Sequence, residues 1–431
     1  MPFSRAHVRI LGGSGIGWAL DAMDVGLISF VIAVVAQQWS LQPGETAWIA
    51  SAGFAGMAVG ATLGGLLADR FGRRQVFAVT LLVYGIATGA SALTGGLAAL
   101  IVLRFLVGLG LGAELPVAST YVSEFAPARI RGRLIVILEA FWAVGWTAAA
   151  LIGYFVIPLS DDGWRWAFAL GALPAIYALV VRWGLPESPR WLERRGRTAQ
   201  AERVLAAFTA SGAATSPPAA TVLATPVAAA GTGERLTALW RREFRLRTLS
   251  LWTVWFCVNF SYYGAFIWIP SILVSQGYDL VRSFGFTLVI TLAQLPGYAV
   301  AAWLIEVWGR RATLAVFLLG SAVSAVLFGT ATGEGLIIAA GMALSFFNLG
   351  AWGALYATTP ETYPTSLRAT GAGWAAGVGR IASIVAPLTV PPLLAVGGAP
   401  TLFVVFAAFF ALAVVASFGL ADRRGRALDD R

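Results

Sequence analysis

Long apolar runs recur along the whole chain, and glycines, prolines or clusters of charged residues end each of them. A helix needs about 20 such residues to cross the hydrocarbon layer of a bilayer. Twelve runs are close to that length: 14–37, 46–68, 75–93, 98–122, 134–157, 164–184, 248–275, 282–304, 312–331, 335–359, 369–394 and 399–420. This pattern predicts an all-α membrane protein with twelve transmembrane helices.

The longest polar stretch, residues 185–247, separates the first six runs from the last six. Residues 193–208 have helical periodicity, whereas residues 211–233 are rich in Ala, Thr, Pro and Gly and have too few large apolar side chains to pack. We therefore expect a six-helix bundle over 1–184, a cytoplasmic linker with short helices and a flexible segment over 185–247, and a second six-helix bundle with a short tail over 248–431.

The two halves of the chain repeat each other. The segment GGLLADRFGRR at 64–74 corresponds to AAWLIEVWGRR at 301–311, so that Gly72 and Gly309 lie 237 positions apart. Three further pairs have the same spacing: Glu124 and Glu361, Pro127 and Pro364, and Arg131 and Arg368. Duplicated halves are typical of transporters in which the halves rock about a site near the middle of the membrane. We expect two pseudo-symmetric bundles.

Composition agrees with a membrane location. Hydrophobic residues make up 58% of the chain. Charged residues make up 12%, whereas about a quarter of residues are charged in soluble domains. A soluble enzyme with one membrane anchor is therefore excluded. The formal net charge is +9, but the arginines lie in short loops between apolar runs, which favours a role in orientation over nucleic-acid binding.

The loop charges predict which side of the membrane each loop faces. Arginine clusters at 70–74, 129–133, 310–311 and 423–426 fall on one side of the predicted helices. The loops on the other side carry mainly acidic residues, with one arginine: Glu45, Asp161, Asp162, Asp279 and Glu334, with Arg282. Because cytoplasmic loops carry an excess of arginine, we expect both termini in the cytoplasm.

Few residues are available for metal, haem or covalent chemistry. Cys257 is the only cysteine and His7 the only histidine, and His7 lies near the amino terminus. A disulfide within one chain is therefore excluded. No nucleophile, base and orienting group occur at a recognisable spacing, so we expect neither an enzyme nor a cofactor. The glycines at 108, 110 and 112 favour close helix packing within the bilayer.

Four segments resemble signature sequences of the major facilitator superfamily, and of its sugar-porter-like branch in particular. They are the loop at 69–74, RFLVGLGLGAELPVASTYVSEFAP at 104–127, PESPRWL at 186–192 and PETYPTSLRATG at 360–371. Within that branch, the first helix, GWALDAMDVGLISF at 17–30, is most similar to the bacterial niacin transporters and to the synaptic-vesicle glycoproteins. Sugar porters usually lack the first of the two aspartates in this helix.

Ionisable residues within the apolar runs are the first candidates for function, because a charge in a span costs about 2.5 to 3.5 kcal/mol on insertion scales. Asp21 and Asp24 are three residues apart and share a helical face, and Arg104 and Glu114 lie in the fourth run. The resemblance implies that Asp24 and Arg104 form a proton-coupling pair, with which we group Asp21 and Glu114. The alternative is a structural ion pair that never titrates.

Polar and aromatic residues near the middle of several runs suggest a substrate pocket. At about 1.5 Å per residue, six of them fall within about two turns of the midplane. These six are Trp142, Asn259, Tyr262, Gln294, Asn348 and Arg380. We predict that they bind the substrate together with Trp352, Tyr263 and Asp21. The resemblance implies that Trp142 and Trp352 lie on either side of a flat ligand ring. Alternatively, the tryptophans are bulky core residues or belong to the interfacial belts.

Arg380 is the only basic residue within the last four runs, and a buried guanidinium needs an anion. Carboxylates are not evident in the spans of the second half, so a substrate carboxylate held in bidentate fashion is the favoured partner. The alternative partner is Asp21, Asp24 or Glu139 across the cavity, and the two arrangements could alternate during transport.

Charged residues of the duplicated loops predict a gate. We expect them to form a charge network on the cytoplasmic side that closes the outward-facing state, and individually weak surface ion pairs suit a lock that opens in every cycle. The residues are Asp69, Arg73, Arg74, Glu124 and Arg131, and in the second half Glu306, Arg310, Arg311, Glu361 and Arg368.

These observations predict a monomeric, proton-coupled importer of a small aromatic carboxylate, nicotinate first, in the cytoplasmic membrane of a bacterium. A sugar, polyol or other organic-acid porter is the alternative. The sugar hypothesis would favour paired glutamines in the seventh run, where CVNFSYYGAF at 257–266 has none. A receptor-like relative that does not transport is the third possibility, but such proteins usually carry a large lumenal domain or a long tail.

Overall fold

The computed structural model describes residues 5–125, 131–209 and 232–420, and all regular secondary structure among them is helical. A helix covers each of the twelve apolar runs, which confirms the predicted all-α fold. We call these helices spans 1 to 12. Spans 1 to 6 are Arg5–Gln38, Pro43–Phe71, Arg73–Ser91, Leu97–Phe125, Arg131–Phe155 and Gly163–Gly184. Spans 7 to 10 are Arg245–Phe266 with Ile269–Ser275, Leu280–Trp308, Arg310–Gly329 and Glu334–Thr358.

Spans 11 and 12 form one long helical stretch, Thr365–Ser417. Its apolar part, Thr370–Ser417, has 48 residues. At 1.5 Å per residue this part is about 72 Å long, more than twice the thickness of the hydrocarbon layer. Gly397 and Gly398 have non-helical backbone angles, and Gly398 has a positive φ of 65°. The chain therefore turns back at these two glycines and crosses the membrane twice.

Length and composition alone identify nine helices in the described residues that could cross a membrane, one of which is the double stretch. Span 7 is a tenth, because its two helices are bent by 45° at a short break. Span 3 is not among these ten helices. It begins with Arg73 and Arg74 and is less apolar than the other spans.

Prolines explain the interruptions in three spans. Span 6 is broken before Pro174, span 7 before Pro270 and span 8 before Pro296. Proline has no N–H and its ring clashes with the preceding turn, so the helical hydrogen bonds are interrupted there.

Span 1 begins at Arg5, nine residues before the apolar run at 14–37. The extension is anchored by Tyr177 of span 6, whose hydroxyl donates to the Gly13 carbonyl at 2.7 Å. Hydropathy marks only the part of a helix that lies in lipid, whereas backbone hydrogen bonds continue beyond it. This difference is therefore expected for a helix that projects from the membrane.

Spans 2 and 4 pack backbone against backbone. A β-carbon on Gly108 would collide with the Gly53 carbonyl oxygen, and one on Gly112 would collide with the Met57 carbonyl oxygen. The glycines of span 4 are therefore needed for close approach, as their spacing predicts.

Short helices of the linker, Pro189–Arg194 and Thr198–Thr209, follow span 6, and a third, Thr232–Leu239, precedes span 7. The first one is held against the last turn of span 2, where the Trp191 indole N–H donates to the Asp69 carbonyl at 3.1 Å. Residues 210–231, which include most of the predicted flexible segment, lie outside the described residues.

Two faces of the bundle can be distinguished by their loops. The arginine face carries the turns between spans 2 and 3 and between spans 8 and 9, around Gly72 and Gly309. The opposite face carries the predicted acidic loops. There, Gln38 donates to the Asp161 carbonyl at 2.5 Å, and Arg282 pairs with Glu334 at 3.1 Å.

Spans 1 to 6 and spans 7 to 12 meet near the opposite face and near the middle of the bundle. The Ser51 hydroxyl donates to the Ile384 carbonyl at 2.9 Å, and the rings of Phe30 and Phe284 lie 5.1 Å apart. The Phe54 and Tyr263 rings, 4.5 Å apart, lie nearer the middle. A cavity between the halves lies on the arginine-face side of these contacts.

Candidate functional site

The cavity between the two halves has an empty volume of about 530 Å³. Three residues of the first half and eight of the second line it: Trp18, Glu139, Trp142, Trp255, Asn259, Tyr263, Tyr298, Trp352, Tyr356, Ala376 and Arg380. Seven of the eleven are aromatic. Glu139 is the only acidic residue among them, and Arg380 is the only basic one. This composition suits a flat, mostly apolar ligand with a small number of polar atoms.

One wall of the cavity is an aromatic cluster of spans 7 and 10. Trp352 stacks on Tyr356 with ring centroids 5.6 Å apart, and Trp255 meets both rings edge-on, at 5.8 and 5.3 Å. The Trp255 indole N–H donates to Thr359 at 3.0 Å, which fixes this ring. The Trp352 indole N–H has no hydrogen-bond partner among the described residues, and its nitrogen is buried.

The facing wall comes from spans 1 and 5. Trp142 lies 5.1 Å from Trp18, ring to ring, and its indole N–H donates to the Tyr262 hydroxyl at 3.1 Å. Tyr262 is fully buried and its ring lies 5.8 Å from that of Trp352, so it contacts both tryptophans. Both tryptophans of the predicted sandwich therefore line one cavity, from opposite halves of the molecule.

Arg380 of span 11 is half-buried at the edge of the cavity. No carboxylate oxygen of the described residues lies within 4.0 Å of its guanidinium, so the alternative ion pair with Asp21, Asp24 or Glu139 is not formed in this conformation. Its polar neighbours are Tyr263 and, at 3.8 Å, the sulfur of Met57. The charge of Arg380 is thus open to an anion in the cavity.

Asn259 lines the cavity, but its amide is already used. Its Nδ2 donates to the Trp255 carbonyl at 2.7 Å, and its Oδ1 accepts from Ser383 at 3.1 Å. The residue therefore joins span 7 to span 11. Gln294 and Asn348 are fully buried and are absent from the cavity lining, and their amides have no partners among the described residues.

Asp24 and Arg104 form a buried ion pair between spans 1 and 4, with Nη1 and Oδ2 3.0 Å apart. The Thr88 hydroxyl of span 3 donates to the other carboxylate oxygen at 2.6 Å. The pair borders a second, mainly apolar cavity of about 310 Å³, which is also lined by Met57. Met57 also contacts Arg380, and Met57 therefore links the ion pair to the larger cavity.

Asp21 lies apart from that pair. It faces Glu114 of span 4 and Tyr84 of span 3, and all three side chains are buried. Neither carboxyl forms an ion pair within 4.0 Å with an arginine among the described residues, and their oxygens lack hydrogen bonds of good geometry. The two carboxyls therefore face each other in the interior of the first half without a cation beside them among the described residues. Asp21 does not line the large cavity.

The predicted gate residues of the first half form a network at the arginine face. Arg73 pairs with Asp69 at 2.7 Å and with Glu124 at 3.4 Å. Arg74 is held by the start of the linker, because its backbone N–H donates to Glu187 at 3.1 Å. The side chain of Arg131 lies outside the described residues.

The second half repeats this network in part. Arg310 pairs with Glu361 at 3.2 Å and with Glu306 at 3.9 Å. Arg311 has no ion pair among the described residues, and Nε and Nη2 of Arg368 have no hydrogen-bond partner there. Every ion pair described in the two networks joins residues of the same half, in agreement with halves that are separated at this face.

Six cavity residues are absent from the set of nine predicted above: Trp18, Glu139, Trp255, Tyr298, Tyr356 and Ala376. Each lies three or four positions from a predicted residue, as Glu139 does from Trp142 and Tyr356 from Trp352. Residues at these spacings share a helical face. Extending each candidate by one turn in both directions would have found them.

The comparisons with known proteins agree on one protein family. The model of the sugar (and other) transporter family matches residues 11–423. The niacin transporter NiaP of Acinetobacter baylyi is 49% identical over 394 residues, covering 91% of this chain and 89% of that protein. The putative niacin/nicotinamide transporter NiaP of Bacillus subtilis is also 49% identical, covering 90% and 88%. The synaptic vesicle 2-related protein of Xenopus laevis is 29% identical, covering 99% and 80%.

Among solved structures, the partially occluded inward-open conformation of the xylose transporter XylE from E. coli has a TM-score of 0.78. It is 19% identical, and the match covers 99% of this chain and 100% of that one. This likeness shows a shared fold of two six-helix halves.

Proposed function

Because this chain belongs to the sugar (and other) transporter family of the major facilitator superfamily, we propose that it imports nicotinate, or a closely similar aromatic carboxylate, together with protons by alternating access. One observation carries the choice of substrate: Arg380, without a carboxylate partner, lines a cavity that is otherwise mostly aromatic. The family and the similar proteins are transporters, as the sequence predicts, and not enzymes.

The two relatives at 49% identity also support the choice of nicotinate. One is named as a niacin transporter, and the other as a putative niacin/nicotinamide transporter. The match covers about nine-tenths of this chain in both cases. A sugar or polyol is less suited to the cavity, because its one side-chain amide, that of Asn259, already has partners within the protein.

Aromatic contact supplies part of the binding energy in this proposal. The ligand ring lies between Trp142 and Trp352, which come from opposite halves. An aromatic contact contributes about 0.5 to 1.5 kcal/mol beyond the area that it buries. Because the ligand touches both halves, its binding favours the conformation in which they close around it.

Charge supplies the second part. The Arg380 guanidinium holds the ligand carboxylate in bidentate fashion. Asn259, Tyr262 and Tyr263 hold the cavity wall, and Gln294 and Asn348 support the packing behind it.

Proton coupling uses two sites in the first half. Asp24 is charged while paired with Arg104, and loss of the pair in another conformation lets it take up a proton. Asp21 and Glu114 share a second proton-binding site beside Tyr84. Met57, which borders the cavity of the Asp24–Arg104 pair and contacts Arg380, transmits movement between coupling and substrate residues.

Gating follows from the charge networks. In the conformation described, the halves are joined near the opposite face and each network is internal to one half. Closure of the arginine face would bring the networks together, so that residues such as Arg368 gain partners from the other half. The six-helix halves 1–184 and 248–431, joined by the linker 185–247, move as units about the cavity.

In this proposal the arginine face is cytoplasmic, because the loops of that face carry the arginine clusters. Both termini then lie in the cytoplasm, and the structure is open inward. We assign the protein to the cytoplasmic membrane of a bacterium and propose that it works as a monomer, because one chain supplies the whole cavity lining.

The test is uptake of labelled nicotinate into proteoliposomes with an imposed inward proton gradient. We expect uptake that a protonophore abolishes and that unlabelled glucose does not inhibit. Arg380→Gln should remove nicotinate uptake, whereas Arg282→Gln, a matched change at the opposite face, should not. Failure of the folded wild-type protein to transport or bind nicotinate would contradict the proposal and return the search to sugars and other organic acids.

A further inference from the structure

Glu139 is a buried carboxyl in the wall of the large cavity. It lies on span 5, in the first half, whereas Arg380 lines the same cavity from span 11. No guanidinium nitrogen of Arg380 lies within 4.0 Å of a Glu139 carboxylate oxygen, so the two residues do not form an ion pair. The indole N–H of Trp18 lies near the Glu139 carboxyl but has no hydrogen bond of good geometry.

The other polar groups of the cavity wall are mostly committed. The indole N–H groups of Trp142 and Trp255 donate to Tyr262 and Thr359, and the Asn259 amide donates one hydrogen bond and accepts one within the protein. Among the eleven lining residues, Glu139 is therefore the only acidic side chain that can approach a ligand atom. The groups that face it are Arg380 and the hydroxyls of Tyr263, Tyr298 and Tyr356.

A pyridine carboxylate has two polar ends, and Arg380 accounts for one of them. An unpaired ring nitrogen in an aromatic cavity would lose its hydrogen bond with water, which costs binding energy. We propose that Glu139 is the specificity-determining residue for the ring nitrogen: it holds that atom while Arg380 holds the carboxylate. This inference rests on the proposed function, which assigns no protein group to the ring nitrogen.

One proton is shared in this contact. A protonated Glu139 donates its O–H to a neutral ring nitrogen, or a protonated ring donates its N–H to the Glu139 carboxylate. Both arrangements contain the same number of protons, and no covalent bond other than the O–H or N–H bond is made or broken. The ligand therefore binds between a cation and a carboxyl that stand on opposite halves of the molecule.

The contact also explains selectivity in physical terms. Benzoate has the same carboxylate and nearly the same ring as nicotinate, but a C–H group replaces the nitrogen. A site that hydrogen-bonds a ligand atom rejects the analogue that lacks it, because the buried protein group is left without a partner. Arg380 and the tryptophans by themselves would not separate these two acids.

Isothermal titration calorimetry on the purified full-length protein tests the proposal, with nicotinate and benzoate as ligands. We expect the wild-type protein to bind nicotinate about tenfold or more tightly than benzoate. Glu139→Leu should bring the two affinities close together, mainly by weakening nicotinate. Glu139→Gln should keep part of the preference, because its amide N–H can donate to a neutral ring nitrogen. The matched control, Glu334→Gln at the opposite face, should leave both affinities unchanged.

The outcomes separate the two proposals. A preference for nicotinate that survives unchanged in a folded Glu139→Leu protein overturns the role of Glu139 and leaves the proposed function standing. Wild-type protein that binds nicotinate and benzoate equally also overturns it. Wild-type protein that binds neither acid contradicts the proposed function first. If Glu139→Leu does not fold, Glu139→Gln takes its place in the test. An equal loss of affinity for nicotinate and for benzoate in Glu139→Gln also overturns the role of Glu139, because it shows no selective contact with the ring nitrogen.

Discussion

Arg104 and Asp24 are joined by an ion pair of 3.0 Å, with only 4% and 1% of their side chains exposed. Asp21, one turn earlier on the same helix, faces Glu114 and has no cation within 4.0 Å among the described residues. Two aspartates that look equivalent in sequence therefore have opposite surroundings. One is paired with an arginine, and the other faces a second carboxyl.

The Asp24–Arg104 pair predicts a coupling defect in Asp24→Asn. Asparagine has nearly the same shape but cannot carry the charge that the proton neutralises. We expect proteoliposomes with this variant to lose accumulation of nicotinate against its gradient while they keep exchange of labelled for unlabelled nicotinate. Asp162→Asn, at an exposed pair with Arg165, is the control. Proton-driven accumulation that persists in Asp24→Asn would assign coupling to another site.

Glu114→Gln tests the second carboxyl site. The change leaves Asp21 with a neutral neighbour, so that the two residues no longer need to share a proton. We expect a change in the number of protons moved per nicotinate, measured from the reversal potential of transport under combined pH and substrate gradients. An unchanged proton count in a folded variant would mean that Asp21 and Glu114 have a structural role only.

Arg380→Gln tests recognition of the carboxylate. Hydrogen bonds to charged groups contribute about 1.5 to 3 kcal/mol, so we expect nicotinate to bind about ten- to a hundredfold more weakly. Binding of nicotinamide, a neutral amide, should change much less. The ratio of the two affinities, measured by calorimetry, is the readout. Equal loss of both ligands would indicate that Arg380 maintains the cavity and does not select the charge.

Trp352→Leu tests the aromatic wall. It removes the ring that stacks on Tyr356 and the unpartnered indole N–H, while an apolar side chain stays in place. We expect about three- to tenfold weaker nicotinate binding, the range that one aromatic contact supports. Trp303→Leu is the matched control, because Trp303 is 64% exposed on the outside of the bundle and does not line the cavity. Equal effects of the two changes would contradict the sandwich.

Gly108→Ala tests the packing of spans 2 and 4. The added methyl group would meet the Gly53 carbonyl, and overpacking of this kind costs about 1 to 3 kcal/mol. Gly65→Ala is the control, because a β-carbon there has no atom within 4 Å and alanine is the better helix former. We expect only Gly108→Ala to lower the melting temperature of the purified protein in detergent.

Much of the fold is fixed by residue order alone. Lipid cannot hydrogen-bond to a peptide group, so an apolar run of about 20 residues has to become a helix, and the structure has a helix over each of the twelve runs. Sequence could also find the chemistry of the site, because charges and amides are rare in spans. Arg380 is predicted as a site residue for this reason, and Trp142 and Trp352 are predicted from their central position and the family resemblance. All three line the cavity.

Tertiary structure decided which face of each helix meets the cavity. Depth follows from counting residues along a helix, but the direction of a side chain around the helix axis depends on the neighbours that the helix packs against. Gln294 and Asn348 are predicted at the depth of the cavity but do not line it, whereas Glu139 lies one turn from a predicted residue and lines the cavity. The partner of Arg104 was decided in the same way: two aspartates share a helical face, and only packing with span 4 brings Asp24 within reach while Asp21 meets Glu114.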